Sequence, residues 1–317
     1  MADGALAKVA PDLRRFIELL PDLSDIAGRL AEIRGVLDGE PPSLGDDGEA
    51  VTSEIFIDRP DGTQLRCLFC RPSAVSSDRP LPVLLHVHGG GYVAGSANRD
   101  HDIVRKAVIA LGCAALIPDY RLAPEYPYPE PLDDVLLSYR WLREQAAALA
   151  IDADRIALRG VSAGGGLAYA ATLKLREDPA SAPCFLLLVF PMLDDRTEPH
   201  PHNGVYVWTH DNNQFGWDSY LAKVDRSDPP PFAVPGRVED VSGLPPIFMT
   251  TGAIDLFAGE NLDLARRLVD GGIALEMHVY PGAYHGFALI PCEATQAYEQ
   301  AAMAALTRAF AAKIDGE

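Results

Sequence analysis

The sequence predicts an α/β protein built on a mostly parallel twisted sheet with helices on both faces. Three observations carry this reading. From Val83 onward, short apolar runs alternate with stretches of helical period, the rhythm of βαβ units whose strands are buried on both faces. An alternating hairpin precedes that run, and an irregular segment, residues 193–235, interrupts it. A chain of 317 residues, 48% of them hydrophobic, is long enough for one large core with an excursion.

In order along the chain, Leu13, Phe16, Ile17 and Leu20, then Ile26, Leu30, Ile33 and Leu37, recur at spacings of three and four. They predict two short amphipathic helices, started by Pro11 and Pro21, that pack over the rest of the protein. After a Pro/Gly/Asp-rich linker near residues 41–48, Val51 to Ile57 and Thr63 to Cys70 alternate around a Pro60-Asp61-Gly62 turn and predict an antiparallel hairpin. Strands follow at Val83 to Val87, Ala114 to Pro118, Arg155 to Leu158 and Phe185 to Phe190, with helices after Asn98, Pro131 and Ala163. In residues 193–235 regular periodicity fails among Pro, His, Asn, Asp and aromatics, which predicts an insertion or lid. The rhythm resumes with strands at Ile247 to Thr251 and Leu275 to Tyr280, a helix between them, and a closing helix from Thr295.

Composition narrows the function. With 27 basic against 45 acidic residues, a formal charge of −18 repels phosphate backbones and anionic bilayers, which argues against nucleic acid or membrane partners. The five scattered cysteines make no disulfide framework. Cys67 and Cys70 sit three apart in an alternating stretch and point to opposite faces, which disfavours a zinc or redox pair and favours buried thiols in a reducing, cytoplasmic setting. The N-terminus shows no apolar signal region, and no run of 18 apolar residues occurs.

The residues that carry chemistry stand at strand ends. Gly160-Val161-Ser162-Ala163-Gly164 falls between a strand and a helix, where small neighbours permit the strained turn that lifts a serine hydroxyl above the sheet's carboxyl edge. His88-Gly89-Gly90-Gly91 follows the first parallel strand, and bare glycine amides there, with that of Ala163, can hold an oxyanion. His88 itself is expected to tie the loop by hydrogen bonds rather than to titrate. A serine needs a base. Of the eight histidines, His285 alone lies in a loop between the last strand and the last helix, while His86 and His278 fall inside strands, His101 opens a helix, and His200, His202 and His210 fall in the insertion. Asp255, just past the strand ending at Thr251, is the carboxylate expected to hold the histidine, and the order Ser, Asp, His is that of α/β-hydrolases. Asp119, Asp194 and Asp195 also follow strand ends but precede the last strands, and are expected to be structural.

Taken together, His88-Gly89-Gly90-Gly91, Asp119-Tyr120-Arg121-Leu122-Ala123-Pro124-Glu125, the serine elbow extended to Gly165, and Tyr284-His285-Gly286-Phe287 resemble the hormone-sensitive-lipase-like branch of the α/β-hydrolases, the bacterial family IV carboxylesterases. The resemblance covers nearly the whole chain. It implies an α/β-hydrolase core over residues 46–192 and 236–317, with a helical cap made of residues 1–45 and the 193–235 insertion. It also implies hydrolysis of short acyl esters without cofactor or metal, oxyanion contacts from Gly90 and Gly91, and a monomer or edge-strand homodimer. One departure is Val161, where the branch's common elbow carries Asp.

The expected reaction is acyl transfer from a small ester to Ser162 and then to water. Tyr92, Tyr206, Trp208, Phe215, Trp217 and Phe287 are the aromatic candidates for an acyl or alcohol pocket, with plain packing of the lid as the competing role. An amidase or peptidase of the same fold is one alternative. A ligand-binding receptor is another, against which His285 argues.

Overall fold

The computed structural model describes residues 2–74 and 79–311. The N-terminal segment holds α1 (Ala2–Leu6), α2 (Pro11–Arg14) and α3 (Leu30–Asp38). Two strands follow a short β1 (Gly45–Asp46), namely β2 (Ala50–Asp58) and β3 (Gln64–Pro72). The alternating part then runs β4 (Leu81–Val87), α4 (Ala97–Leu111), β5 (Ala114–Pro118), α5 (Glu130–Glu144), α6 (Ala146–Leu149), β6 (Ile151–Val161), α7 (Ala163–Leu175) and β7 (Phe185–Val189). After α8 (His210–Tyr220) come β8 (Ile247–Gly252), α9 (Ala258–Asp270), β9 (Leu275–Tyr280) and α10 (Glu293–Ala311).

Nine strands form one sheet in the order β1-β2-β3-β5-β4-β6-β7-β8-β9. The pairs β1/β2, β2/β3 and β3/β5 are antiparallel, and every pair from β5 to β9 is parallel. Strand alternation feeds two cores. Val83, Leu85 and Val87 face the layer of α3, α5, α7 and α9, while Leu84 faces that of α4 and α10. Cys67 and Cys70 divide in the same way, one buried in each layer, so the C-x-x-C is not a pair.

The N-terminal segment departs from expectation. The first stripe does not make one helix, because Pro21 forces Leu20 into extended backbone (ψ 144°) and leaves only α2 and a 3-10 turn at Ile17–Leu19. The second stripe becomes helical only at Leu30, since Asp25 takes φ 50° and its side chain accepts from the Gly28 amide at 3.2 Å. The stripes still bury Leu13, Ile26, Ile33 and Leu37. Arg34 ties the segment to the core, donating to Glu125 at 2.6 Å and to the Val93 carbonyl at 2.8 Å.

Residues 193–235 also hold more order than expected. Their helix α8 buries Asn212, Asn213, Gly216, Trp217, Ser219 and Tyr220, a polar and aromatic face that leaves no aliphatic period to read. Thr209 caps it by accepting from the Asn212 amide at 3.4 Å.

Candidate active site

Ser162, His285 and Asp255 come together at the carboxyl edge of the parallel sheet. Ser162 follows β6 with φ 54° and ψ −121°, a conformation costly for a residue with a Cβ and typical of strained functional turns. The turn is held by its neighbours: a Cβ on Gly164 would lie 2.2 Å from the carbonyl oxygens of Val87 and His88. Ser162 Oγ lies 2.9 Å from His285 Nε2, and His285 Nδ1 lies 2.8 Å from Asp255 Oδ2. The second carboxylate oxygen, Oδ1, accepts from the Phe257 amide at 2.9 Å. All three side chains are buried. The His285 ring is further fixed edge-on to Phe190 and Phe257, at centroid distances of 4.7 and 5.1 Å.

Beside the serine, the glycine loop turns through φ 125° at Gly90 and 63° at Gly91. A Cβ on Gly90 would sit 1.9 Å from the Ala94 carbonyl oxygen, so only glycine fits. Among the described residues the amides of Gly90, Gly91 and Ala163 donate to no protein acceptor. Three such donors, the last at the N-terminus of α7, are suited to a developing negative charge. His88 supports the loop: its Nδ1 donates to the Gly89 carbonyl at 2.8 Å, its ring stacks on Tyr120 at 4.2 Å, and the Tyr120 hydroxyl donates to the His88 carbonyl at 3.0 Å.

A cavity of about 270 Å³ opens on this group. Its wall includes Ser162, His285 and Gly89 to Gly91 from the core, Pro21, Leu23 and Leu37 from the N-terminal segment, and Val207 and Trp208 from the insertion. Val161 also lines it, so an apolar side chain stands where the branch's common elbow carries a carboxylate. Glu260 anchors the chain entering the insertion, accepting from the Leu193 amide at 2.7 Å and from the Thr197 hydroxyl. Burial pushes the Glu260 carboxyl well above the usual carboxylate range, and Asp194 and Asp255 nearby add to the shift.

The chain matches the family described as the alpha/beta hydrolase fold over residues 84–289. It belongs to the α/β-hydrolase family. Within that family it falls in the hormone-sensitive-lipase-like branch. Carboxylesterase NlhH of Mycobacterium tuberculosis is 34% identical over 242 residues, spanning 73% of this chain and 74% of that protein. Ethyl acetate hydrolase of Pseudomonas putida is 28% identical over 292 residues, 87% of this chain and 91% of that one. Among solved structures, a bacterial heroin esterase superposes with a TM-score of 0.88 at 30% identity, covering 96% of this chain and 99% of that chain.

Of the aromatic candidates in this hydrolase, Trp208 alone lines the cavity, lying over His285 at 6.4 Å. Tyr92 and Trp217 are buried against each other and against Tyr220, and the Tyr92 hydroxyl donates to the Met192 carbonyl at 3.2 Å. Phe287 packs on Phe190 and Tyr280, Tyr206 leans on Tyr284, and Phe215 packs against the core. These five lie in the packing around the site, outside the cavity wall. The other aspartates at strand ends have separate partners: Asp119 accepts from the Ala97 amide and Arg66, Asp194 from Arg196, and Asp195 from Arg226 and Arg237.

Sequence reasoning missed Phe190, Val207, Leu289 and Arg159 as cavity residues. The first three follow no motif. Arg159 is marked in the sequence as a cation among the small and apolar residues 156–161 that lead into the serine turn.

Proposed function

We propose that the protein is a carboxylic-ester hydrolase for short- to medium-chain acyl esters, in which Ser162 is the nucleophile, His285 its base and Asp255 the group that holds His285. The observation that carries the reading is the continuous line of contacts from Ser162 Oγ to His285 Nε2 (2.9 Å) and from His285 Nδ1 to Asp255 Oδ2 (2.8 Å) at a strained elbow.

His285 Nε2 takes the serine proton as Oγ attacks the ester carbonyl, and the oxyanion is bound by the amides of Gly90, Gly91 and Ala163. Collapse breaks the bond to the alkoxy oxygen, which leaves with the proton from His285. Water, deprotonated by the same nitrogen, then releases the acid and restores Ser162. No cofactor or metal enters these steps.

Substrate reach follows from the cavity. Residues 1–45 and 193–235 act as a cap over the core, a reading supported by Leu23, Leu37, Val207 and Trp208 in one wall, and its apolar surface suits an acyl chain. Work in a reducing compartment such as the cytoplasm belongs to the same reading, supported by five scattered cysteines that make no disulfide framework in the sequence.

The test is a panel of p-nitrophenyl esters, acetate to decanoate, with wild type, Ser162→Ala, His285→Ala and the double variant. Each single substitution is expected to remove nearly all turnover, and the double to cost little more, because the two groups act in one step. Near-normal turnover by either purified single variant sinks the assignment.

A further inference from the structure

The cavity does not end at the serine. It continues over the sheet between α4 and α10, floored by Leu84 and Leu187 and walled by Ala107, Ala302 and Leu306. The walls are mostly apolar, with Arg99, Asp100, Lys106, Tyr298 and Glu299 also in the lining. Arg159 lines the floor, two residues before Val161 and on the same face of β6, so its Cα lies ~10 Å along the strand from that of Ser162 at ~3.3 Å per residue.

Arg159 is 9% exposed, and among the described residues it forms no ion pair with a carboxylate. Its Nη1 donates to His86 Nδ1 at 2.7 Å and its Nη2 to the Tyr298 hydroxyl oxygen at 3.1 Å. A link to an anion runs through His86, whose Nε2 donates to Asp100 Oδ2 at 2.7 Å. His86 is held neutral, its pKa pushed down to about 4 by burial and by the Arg159 charge, so it relays the Asp100 charge without supplying one. Arg59, equally enclosed, shows the ordinary solution with Asp134 Oδ1 directly on its Nε at 2.8 Å. A buried guanidinium with neutral partners and no adjacent carboxylate is costly unless an anion arrives. The Arg159 Nε makes no hydrogen bond among the described residues, and the side chain borders the cavity. Ser162 and Arg159 line the same cavity, so an acyl group on the serine and the guanidinium would share one space.

We propose that the acyl channel is built for esters of dicarboxylic acids, the free terminal carboxylate of the acyl chain being bound by Arg159. The inference rests on the ester-hydrolase reading and narrows its substrate class to ω-carboxyacyl esters. Arg159 is a specificity-determining residue in this scheme. It takes no part in the proton transfers, and the chemistry at Ser162 remains ordinary ester hydrolysis.

The experiment compares p-nitrophenyl monoesters of adipate through azelate with p-nitrophenyl esters of monocarboxylic acids of the same chain length. Shorter diacids are avoided because their monoesters cyclise spontaneously to anhydrides. Sodium chloride at about 0.15 M screens the protein's net negative charge beyond ~8 Å. At the best length, wild type is expected to favour the carboxylate-bearing ester by about tenfold or more in kcat/KM, mostly through KM. Arg159→Met is expected to abolish that ratio, and Arg159→Lys to restore part of it. A purely structural role lowers both kcat/KM values together and leaves the ratio alone, which overturns the proposal, as does a wild type that favours the neutral ester.

If Arg159→Met does not fold, competitive inhibition of wild type decides. Diacid dianions that inhibit no better than monocarboxylates of equal length overturn the proposal, and stronger inhibition supports it. Ser162→Ala separates the two levels of the argument. Loss of both activities with an unaltered ratio in Arg159→Met rejects only the substrate class, whereas persistence of both activities in Ser162→Ala rejects the hydrolase assignment itself.

Discussion

Replacing Asp255 by Asn is the sharpest probe of the site, because the structure dictates which way the new amide faces. Asp255 Oδ1 accepts from the Phe257 amide at 2.9 Å, and that N–H has no other acceptor among the described residues. The oxygen of an Asn is therefore drawn to Phe257, and its NH₂ is turned toward His285 Nδ1, where a donor now meets a nitrogen that had been donating. The imidazole answers by carrying its proton on Nε2, and Nε2 can no longer accept from Ser162. Wrong-tautomer substitutions of this kind lower kcat by about 10⁴, equivalent to ~5.4 kcal/mol at ~1.36 kcal/mol per tenfold. The side chain is enclosed and nearly isosteric, so the fold should survive. The assay is single-turnover release of p-nitrophenolate from the butyrate ester, with urea unfolding of both proteins as the control. A loss smaller than about tenfold in a protein of wild-type stability refutes the argument that Asp255 sets the His285 tautomer.

Three further outcomes are expected. His86→Asn should flatten the acid limb of stability: the unfolded histidine takes its proton near ~6.5, whereas the folded one resists until about 4, so the unfolded state binds more protons in that window and wild-type stability falls as pH falls through it. Urea unfolding at pH 7.5 and 4.5 reads the difference, and an equal loss in both proteins rejects it. Leu37→Ala, which removes a buried cavity wall contributed by α3, should cost ~2–5 kcal/mol and raise kcat/KM for the octanoate ester relative to the butyrate ester. An unchanged ratio would mean that the N-terminal segment does not bound the acyl site. Trp208→Ala should likewise alter chain-length preference, whereas Trp217→Ala, which lies outside the cavity wall, should lower the melting temperature and leave that preference as it is.

Much of the site was legible because its chemistry is concentrated in short motifs at strand ends. The glycines at 89–91 and 164, the serine between a strand and a helix, and a histidine in the last loop are each constrained by backbone geometry or by the sheet's carboxyl edge. The cap was less legible. The stripes of residues 13–37 marked the right buried positions, yet Pro21 and the left-handed Asp25 broke the helices they implied. Helix α8 was hidden because it buries Asn, Gly, Ser and aromatics, which leaves no aliphatic period, and its capping Thr209 is a weak signal without one.

What the sequence by itself determined was the order of the strands and main helices of the parallel core, the α/β class, and the residues that meet at the carboxyl edge, since these follow from periods of two and of three to four and from local turn chemistry. Only the tertiary structure decided which side chains line the cavity. Tyr92, Trp217 and Phe287 are as aromatic as Trp208 in the sequence, but their distance from the cavity is set by how the insertion packs on the core. The same holds for Arg159, whose neighbours His86 and Tyr298 lie 73 and 139 residues away along the chain. A partner at such a separation leaves no local pattern, and the neutral partners of Arg159 become visible only when the strands and the last helix are brought together.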